Sequence, residues 1–452
     1  MSHGDNLQER DYRRIQHYLG SLAASLPQIC EIGKSANVVL CNGFEKPENV
    51  RERYPAERLR YINTVYVSEA QAIFSRVDPL SSFLVYPGDL RSELSVPTIT
   101  KSRLISDASR CVLLPLNYRR HWPSVENAAR DDIPFNQKKD KLVWRGATTG
   151  KFWRDGTDFP YSSRFYVHEA KYRHENIDVG YSSIGQLTES IPLVGALKSH
   201  LKSKLSMAEQ LQSKFLLSLE GNDVASGLKW MLYSNSTVVM PKPMCESWAC
   251  ESFLVPFEHY IPVKHDLSDL DDVYEWCMEH LAECKSIAEN ASRYISNFLS
   301  PQKEEAIKTA VADEYLKKVT ILVAPELKGP ETSPSTIRQR AVELVADKEP
   351  ERAARLLQRG LELFPTATDQ YGDPTFRKEL MRLHLNQGRY SDAMALILSD
   401  DPAVKPGWHN ILFARALDKA KRPAQALSYW KEFLATHPTN SEAAAAVKRL
   451  DI

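Results

Sequence analysis

The sequence predicts an α/β domain followed by an all-α helical-repeat segment, and three observations carry that prediction. Runs of strand length at 82–86, 111–114, 215–219, 237–240 and 259–263 suit strands, and the apolar run 215–219 suits one buried on both faces of a parallel sheet. Turn formers follow them: Pro87-Gly88-Asp89, Pro115, Glu220-Gly221-Asn222-Asp223, and Pro241 with Pro243. Beyond residue 335 the chain changes to helical stretches in three successive pairs, closed by Pro365, Pro402 and Pro438 at separations of 37 and 36 residues.

Taken in order, a helical start at 11–25 precedes a strand expected at 37–41 and a helical stretch at 68–76. With the runs 83–86 and 111–114 these make an N-terminal α/β half. The run 215–219 leads at once into Glu220, Gly221, Asn222 and Asp223. A helix expected to begin near 224–227 would then aim its unpaired N–H groups at an anion beyond the strand ends, with Ser226 and Lys229 placed to grip phosphate. Pro241 and Pro243 stop the next strand, and the loop after them holds Glu246, Ser247, Trp248 and Glu251, acids and an indole able to hold a sugar or ribose. After 259–263, Asp266 or Ser268 is expected to cap a helix running through Trp276 and His280. Amphipathic helices at 270–298 and 303–319 end this part, and 326–335, ELKGPETSPS, has linker composition.

Helical stretches follow at 336–346, 351–364, 376–387, 391–398, 410–419 and 423–437, with Ala353, Ala393 and Ala426 near the start of each second helix. They resemble tetratricopeptide repeats, whose period is about 34 residues with alanine at close helix contacts. Such a solenoid over 336–452 either offers a concave surface to a protein partner or serves only to pack.

Read in chain order, Trp144-Arg145-Gly146 with Thr148 and Thr149, Ser163-Arg164, Lys214, Glu220-Gly221, Ala225-Ser226, Trp248, His259-Tyr260-Ile261-Pro262-Val263 and Asp266-Leu267-Ser268-Asp269 resemble the motifs of glycosyltransferase family 90. The resemblance extends over about residues 80–320. It implies a GT-B fold of two Rossmann-like halves, here 1–135 for the acceptor and 136–325 for the nucleotide-sugar, with the last helix crossing back to brace the first half. It also implies a UDP-sugar donor, inversion by direct displacement, and no metal or other cofactor. By resemblance, Arg145, Arg164, Lys214 and Ser226 contact the diphosphate, and Gly146 lets backbone approach the donor. Thr148, Thr149, Glu220, Gly221, Lys229, Trp248 and Glu251 complete the implied donor set.

Asp89, following strand 82–86, matches the family's catalytic aspartate and is the expected general base. Turn chemistry alone also places aspartate beside Gly88. Packing alone accounts equally for Trp144, Trp230 and Trp248, ion pairing for isolated arginines, and core burial for His259. The endoplasmic reticulum members carry an arginine two residues after the serine matching Ser226, where this chain has Leu228. Lys229, turned by about 100° from Leu228 on a helix, is the candidate replacement.

With 452 residues, 43% of them hydrophobic and 26% charged, the chain has the composition of a globular protein of two or three domains. Lys plus Arg and Asp plus Glu each total 58, so the basic footprint of a nucleic-acid binder is missing. The local Arg119-Arg120-His121 cluster stays open as a contact for an anionic acceptor or as solvated surface. The opening MSHGDNLQERDYRRIQ lacks the apolar core of a signal peptide, and no stretch reaches the length of a membrane span. Seven cysteines form neither a paired secreted framework nor CxxC metal spacing. These features predict a cytoplasmic protein with reduced thiols, at most peripheral to the inner face of a membrane, on the bacterial side of the family. The expected activity is transfer of a hexose or pentose from a UDP-sugar to a hydroxyl of a glycan, glycolipid or protein, in lipopolysaccharide or capsule synthesis. Protein glycosylation with the repeats recruiting the polypeptide, and a non-catalytic scaffold, are the alternatives.

Overall fold

Four groups of strands organise the α/β part of the protein. The computed structural model describes residues 7–32, 38–52, 64–90, 92–106, 108–116, 118–152, 161–187, 193–323, 332–370, 372–398, 407 and 409–451. Strands β1 (Gln28–Ile32), β2 (Val39–Asn42), β3 (Ser82–Val85), β4 (Thr98–Thr100), β5 (Ser102–Leu104), β6 (Cys111–Leu113), β7 (Lys139–Ala147), β8 (Ile177–Ser183), β9 (Ser213–Leu217), β10 (Thr237–Met240), β11 (Cys245–Ser247), β12 (Ile261–Pro262) and β13 (Val319–Val323) follow the chain. One sheet has the order β2-β3-β4-β6, and a second has the order β12-β10-β9-β7-β8. Every neighbouring pair of the second sheet is parallel, as are β3–β4 and β4–β6. The second sheet is thus parallel throughout and the first is parallel from β3 to β6, the feature that buried apolar runs predict.

The core of the second sheet explains why those runs fold as strands. Leu142, Trp144, Phe215, Leu217, Val239 and Ile261 pack with Tyr274, Cys277 and Ile287 from the helices Leu270–Glu279 and Leu281–Ser296. The single helix expected over 270–298 is two, parted at His280, and the expected side-chain cap at its start is missing. Asp266 instead accepts from the Ser268 N–H, and Asp269 from the Lys264 N–H, so both acids tie the turn that precedes the helix. The helix Pro301–Lys318 reaches the first sheet, where the Tyr315 hydroxyl accepts from the Leu84 N–H at 3.2 Å and donates to the Pro97 carbonyl at 3.0 Å. Its other end holds Glu304, paired at 2.7 Å with Arg14 of the N-terminal helix Glu9–Leu19.

Strands β1, β4, β5, β7, β8, β11 and β13 escape a reading of the sequence, and four of them form two pairs outside the larger sheets. Residues 319–323 leave the helix as β13 and pair in parallel with β1, Gln28 facing Val319. Strand β11, in the loop after β10, runs antiparallel to β5, Glu246 facing Arg103. All seven cysteines are buried free thiols. Among the described residues no helix is long and apolar enough to cross a membrane.

The chain divides into two compact units, one of Met1–Cys41, Arg51–Ala70 and Phe83–Ala324, the other of Asn42–Val50, Gln71–Ser82 and Pro325–Ile452. The second unit is helical, with helices Pro334–Ala346, Pro350–Leu363, Thr375–Asn386, Tyr390–Leu398, Asn410–Lys419, Pro423–Thr436 and Ser441–Leu450. Six of these correspond to the expected stretches, and Ser441–Leu450 is an addition. Ala353, Ala393 and Ala426 are fully buried, as small residues at close helix contacts should be. A methyl group on Gly360 would lie 2.5 Å from the Phe376 ring, so its hydrogen lets those two helices touch. Phe44 enters this unit's core among Ile337, Leu356 and Phe376, and Arg340 and Arg352 donate to the Phe44 and Gly43 carbonyls. Pro402 and most of the expected linker lie outside the described residues.

Candidate functional site

A cavity of about 230 Å³ lies in the first unit, where the turns after β3, β7 and β9 meet. Asp89, Thr149, Arg164, Gly221, Ser226, Lys229 and Trp248 all line it, together with Lys101, His121, Asn222 and Asp223. The placement follows from parallel pairing, which gathers the turns at the carboxyl ends of neighbouring strands on one edge.

Arg164 is fixed by backbone. Its guanidinium donates to the Ala147 carbonyl at 3.1 Å, the Thr149 hydroxyl at 2.7 Å and the Leu219 carbonyl at 2.9 Å. A methyl group on Gly221 would stand 3.1 Å from the Arg164 Cζ, so glycine here leaves room for that cation. Asp89 meets Lys101, whose Nζ is 2.6 Å from Oδ1, and accepts from the Asn222 amide at 3.0 Å on Oδ2. Asn222 in turn accepts from the Gly150 N–H at 3.1 Å. Trp248 is buried against Trp122, their ring centroids 4.6 Å apart, and meets Phe298 edge-on.

Lys229 is 1% exposed and pairs at 2.6 Å with Glu251, equally buried. Glu251 also accepts from the Ser247 N–H and hydroxyl. Glu251 and Glu220 line a smaller adjoining cavity with Ser163, Lys242 and His265. Glu220 accepts from the Met244 and Cys245 N–H groups at 3.0 and 3.1 Å. Burial pushes its carboxyl up to about 7 against those two donors, and the nearby Glu251 and Asp223 charges act in the same direction as burial.

Four expected donor residues line neither cavity. Arg145 is held by both oxygens of Asp178, at 2.9 and 3.0 Å, and by the Ser203 carbonyl, because its side chain leaves β7 toward β8. Lys214 is the second residue of β9 and pairs with Asp140 at the amino end of the sheet, opposite the turns. A methyl group on Gly146 would come within 2.4 Å of the Trp144 indole, so this glycine serves packing. The Thr148 hydroxyl exchanges hydrogen bonds with Gly185, donating to its carbonyl and accepting from its N–H.

Other expectations change as well. The helix after β9 is Leu228–Tyr233, so its first turn starts later than 224–227, and Ser226 is an exposed loop residue. Glu246 is buried among Arg103, His17 and Ser252 and is committed to holding β11 on β5. Although burial works to raise its carboxyl, the His17 hydrogen bond and the Arg103 charge hold it down at about 2. Of the basic cluster, His121 lines the cavity, while the side chains of Arg119 and Arg120 lie outside the described residues. Lys101 and Asp223 were missed. Asp223 carried a signal, standing two residues after Gly221 in a turn that ends a buried strand. Among the described residues no three His, Cys, Asp or Glu side chains gather as a metal cage.

Comparison with known proteins places this geometry in a family. The model of glycosyl transferase family 90 matches residues 120–339. The O-glucosyltransferase LpsA of Dichelobacter nodosus is 32% identical over 240 residues, covering 53% of this chain and 67% of that protein. Protein O-glucosyltransferase 2 of Danio rerio is 28% identical over 149 residues, 32% of this chain and 28% of that protein. Protein O-glucosyltransferase 3 of Homo sapiens is 24% identical over 214 residues, 46% of this chain and 40% of that protein. The chain therefore spans two thirds of the first relative and less than half of the other two. The chain belongs to glycosyltransferase family 90.

Proposed function

We propose that this glycosyltransferase moves a sugar from a UDP-sugar to a hydroxyl acceptor with inversion and without a metal ion. The observation that carries the reading is one cavity whose lining includes both the Asp89 carboxylate and the Arg164 guanidinium, with Ser226 and Lys229. In a single displacement the acceptor oxygen bonds to the anomeric carbon as the bond from that carbon to the diphosphate oxygen breaks. The acceptor proton passes to Asp89, and the charge developing on UDP is met by Arg164 and by hydroxyls such as Thr149 and Ser226. Arg145 and Lys214, bound to Asp178 and Asp140, are left out of this scheme. Trp248, a largely buried member of the cavity lining, is the indole placed nearest the sugar or the acceptor in this scheme. The relatives named O-glucosyltransferases favour glucose among the candidate sugars. A cell-envelope glycan, lipopolysaccharide or capsule, is the acceptor class we favour, and the two larger sheets, of four and five strands, support a reading as the two halves of a GT-B enzyme.

A protein acceptor is the second reading, favoured by one feature of the helical unit. There a groove of about 630 Å³ is bordered by Arg382, Asn386, Tyr390, Arg415 and Lys419, positioned as a repeat solenoid would present a polypeptide.

Calorimetry with UDP, GDP and CMP, with and without chelator, tests the donor assignment. Chelator-insensitive binding of UDP alone is expected, and Asp89→Asn should lose transfer by about 10²-fold or more while keeping UDP affinity within about twofold. Equal loss of affinity and rate in Asp89→Asn would remove it as the base.

A further inference from the structure

We propose that Lys101 and Asp223 are positioning residues for Asp89, together setting where its carboxylate points and how strongly it holds a proton; this rests on the reading of Asp89 as the base. Lys101 follows β4 and opens into β5, so it emerges at the edge where the turn after β3 carries Asp89. Its Nζ is shared, 2.6 Å from Asp89 Oδ1 and 2.9 Å from Asp223 Oδ2. Ser102 also donates to Asp223 Oδ2 at 2.6 Å. The arrangement is graded in exposure. The Lys101 and Asp223 side chains are 10% and 8% exposed, while Asp89 is 39% exposed and faces the cavity. The anchors are thus buried and the reacting group open, as expected of a device that orients a carboxylate from behind.

Charge sharing gives the device its chemical purpose. Burial alone would lower the Lys101 pKa, but Asp223 and Asp89 together hold it above its ordinary value, so the ammonium persists throughout the working range. An ammonium paired with Asp89 alone would make that carboxylate a poor base. Divided between two carboxylates, it keeps Asp89 ionised and oriented yet leaves it able to take the acceptor proton, since Lys101 retains Asp223 afterwards. Asn222, the neighbour of Asp223, fixes the second Asp89 oxygen. Among the described residues the other titratable or charged groups facing this cluster are Tyr66, whose ring lies 5.4 Å from the Lys101 Nζ, Tyr86, Glu220, whose carboxyl feels the Asp223 charge, and, in the lining of the same cavity, His121, Arg164 and Lys229.

Three variants of the full chain, Lys101→Met, Lys101→Arg and Asp223→Asn, test the assignment with two readouts. The first is the pH profile of UDP release from UDP-glucose. The second needs no turnover: the infrared carboxylate signal of Asp89, taken as the difference between each protein and its Asp89→Asn counterpart. In Lys101→Met the Asp89 titration and the acidic limb of the rate should move up by about one pH unit or more, with UDP affinity changed by less than about twofold. Lys101→Arg should restore most of both. Asp223→Asn should move the Asp89 titration the opposite way, because Lys101 then serves Asp89 alone. Titrations that stay in place in Lys101→Met and Asp223→Asn, or move in the same direction in both, overturn the proposal; where Lys101→Met is poorly folded, an Asp89 titration that fails to move down in Asp223→Asn overturns it alone. Undiminished UDP release in Asp89→Asn instead overturns the base assignment itself, whatever the Lys101 variants do.

Discussion

Glu220 shows how much one buried carboxyl alters the behaviour of its site. Its native value of about 7 stands above the ordinary 4.5, so the folded protein holds this proton to higher pH than the unfolded chain does. The contribution of Glu220 to stability is therefore greatest below about pH 4.5, falls as pH rises to about 7 and is level beyond, a change on the order of 3 kcal/mol. Glu220→Gln keeps an oxygen for the Met244 and Cys245 N–H groups but cannot ionise. Its thermal midpoint should rise relative to the parent between pH 5 and pH 8, and a constant difference across that range would count against the raised value. Single residues were also where the sequence was least legible. Arg145 and Arg164 look alike in the chain, each beside a turn, but only the order of the second sheet sets Asp178 against Arg145. Lys101 gave no signal, since its partners Asp89 and Asp223 come to it from turns far apart in sequence.

The most apolar strands of the parallel sheets were easier to read than their neighbours β4, β7 and β8, which were not expected from the sequence. Runs such as 215–219 and 237–240 are apolar because both faces of the sheet are covered, and such a run has few other ways to fold. The pairs β1–β13 and β5–β11 were hidden because they are short and their partners are remote. Tyr315 ties the helix Pro301–Lys318 to the first sheet. Replacing Tyr315 with Phe leaves the Leu84 N–H and the Pro97 carbonyl buried without their partner, a cost of about 1–3 kcal/mol. Amide exchange at Leu84 should quicken accordingly, and unchanged protection there would mean the hydroxyl plays no part in holding the first sheet.

At the scale of the whole molecule, the chain passes between its two units five times, because 42–50 and 71–82 belong with the C-terminal helices. The linear sequence announces the helical unit through its alanines and prolines but gives no sign that Phe44 completes its core, since that pairing depends on contacts across some 300 residues. A fragment beginning at residue 325 lacks Phe44 and the Gly43 and Phe44 carbonyls that Arg352 and Arg340 use. It should lose its helical circular dichroism at lower temperature than the same unit does in the intact chain. Coincident transitions would show that the N-terminal segments contribute nothing to it. The same arrangement bears on synthesis. Phe44 is made about 280 residues before residue 325, and at roughly 5–20 residues per second it waits roughly 14 to 56 seconds on the ribosome for the helices that cover it. Throughout that interval Phe44 lacks Ile337, Leu356 and Phe376, the residues it packs among, and an uncovered apolar side chain on a nascent chain is the kind of feature that chaperones shield.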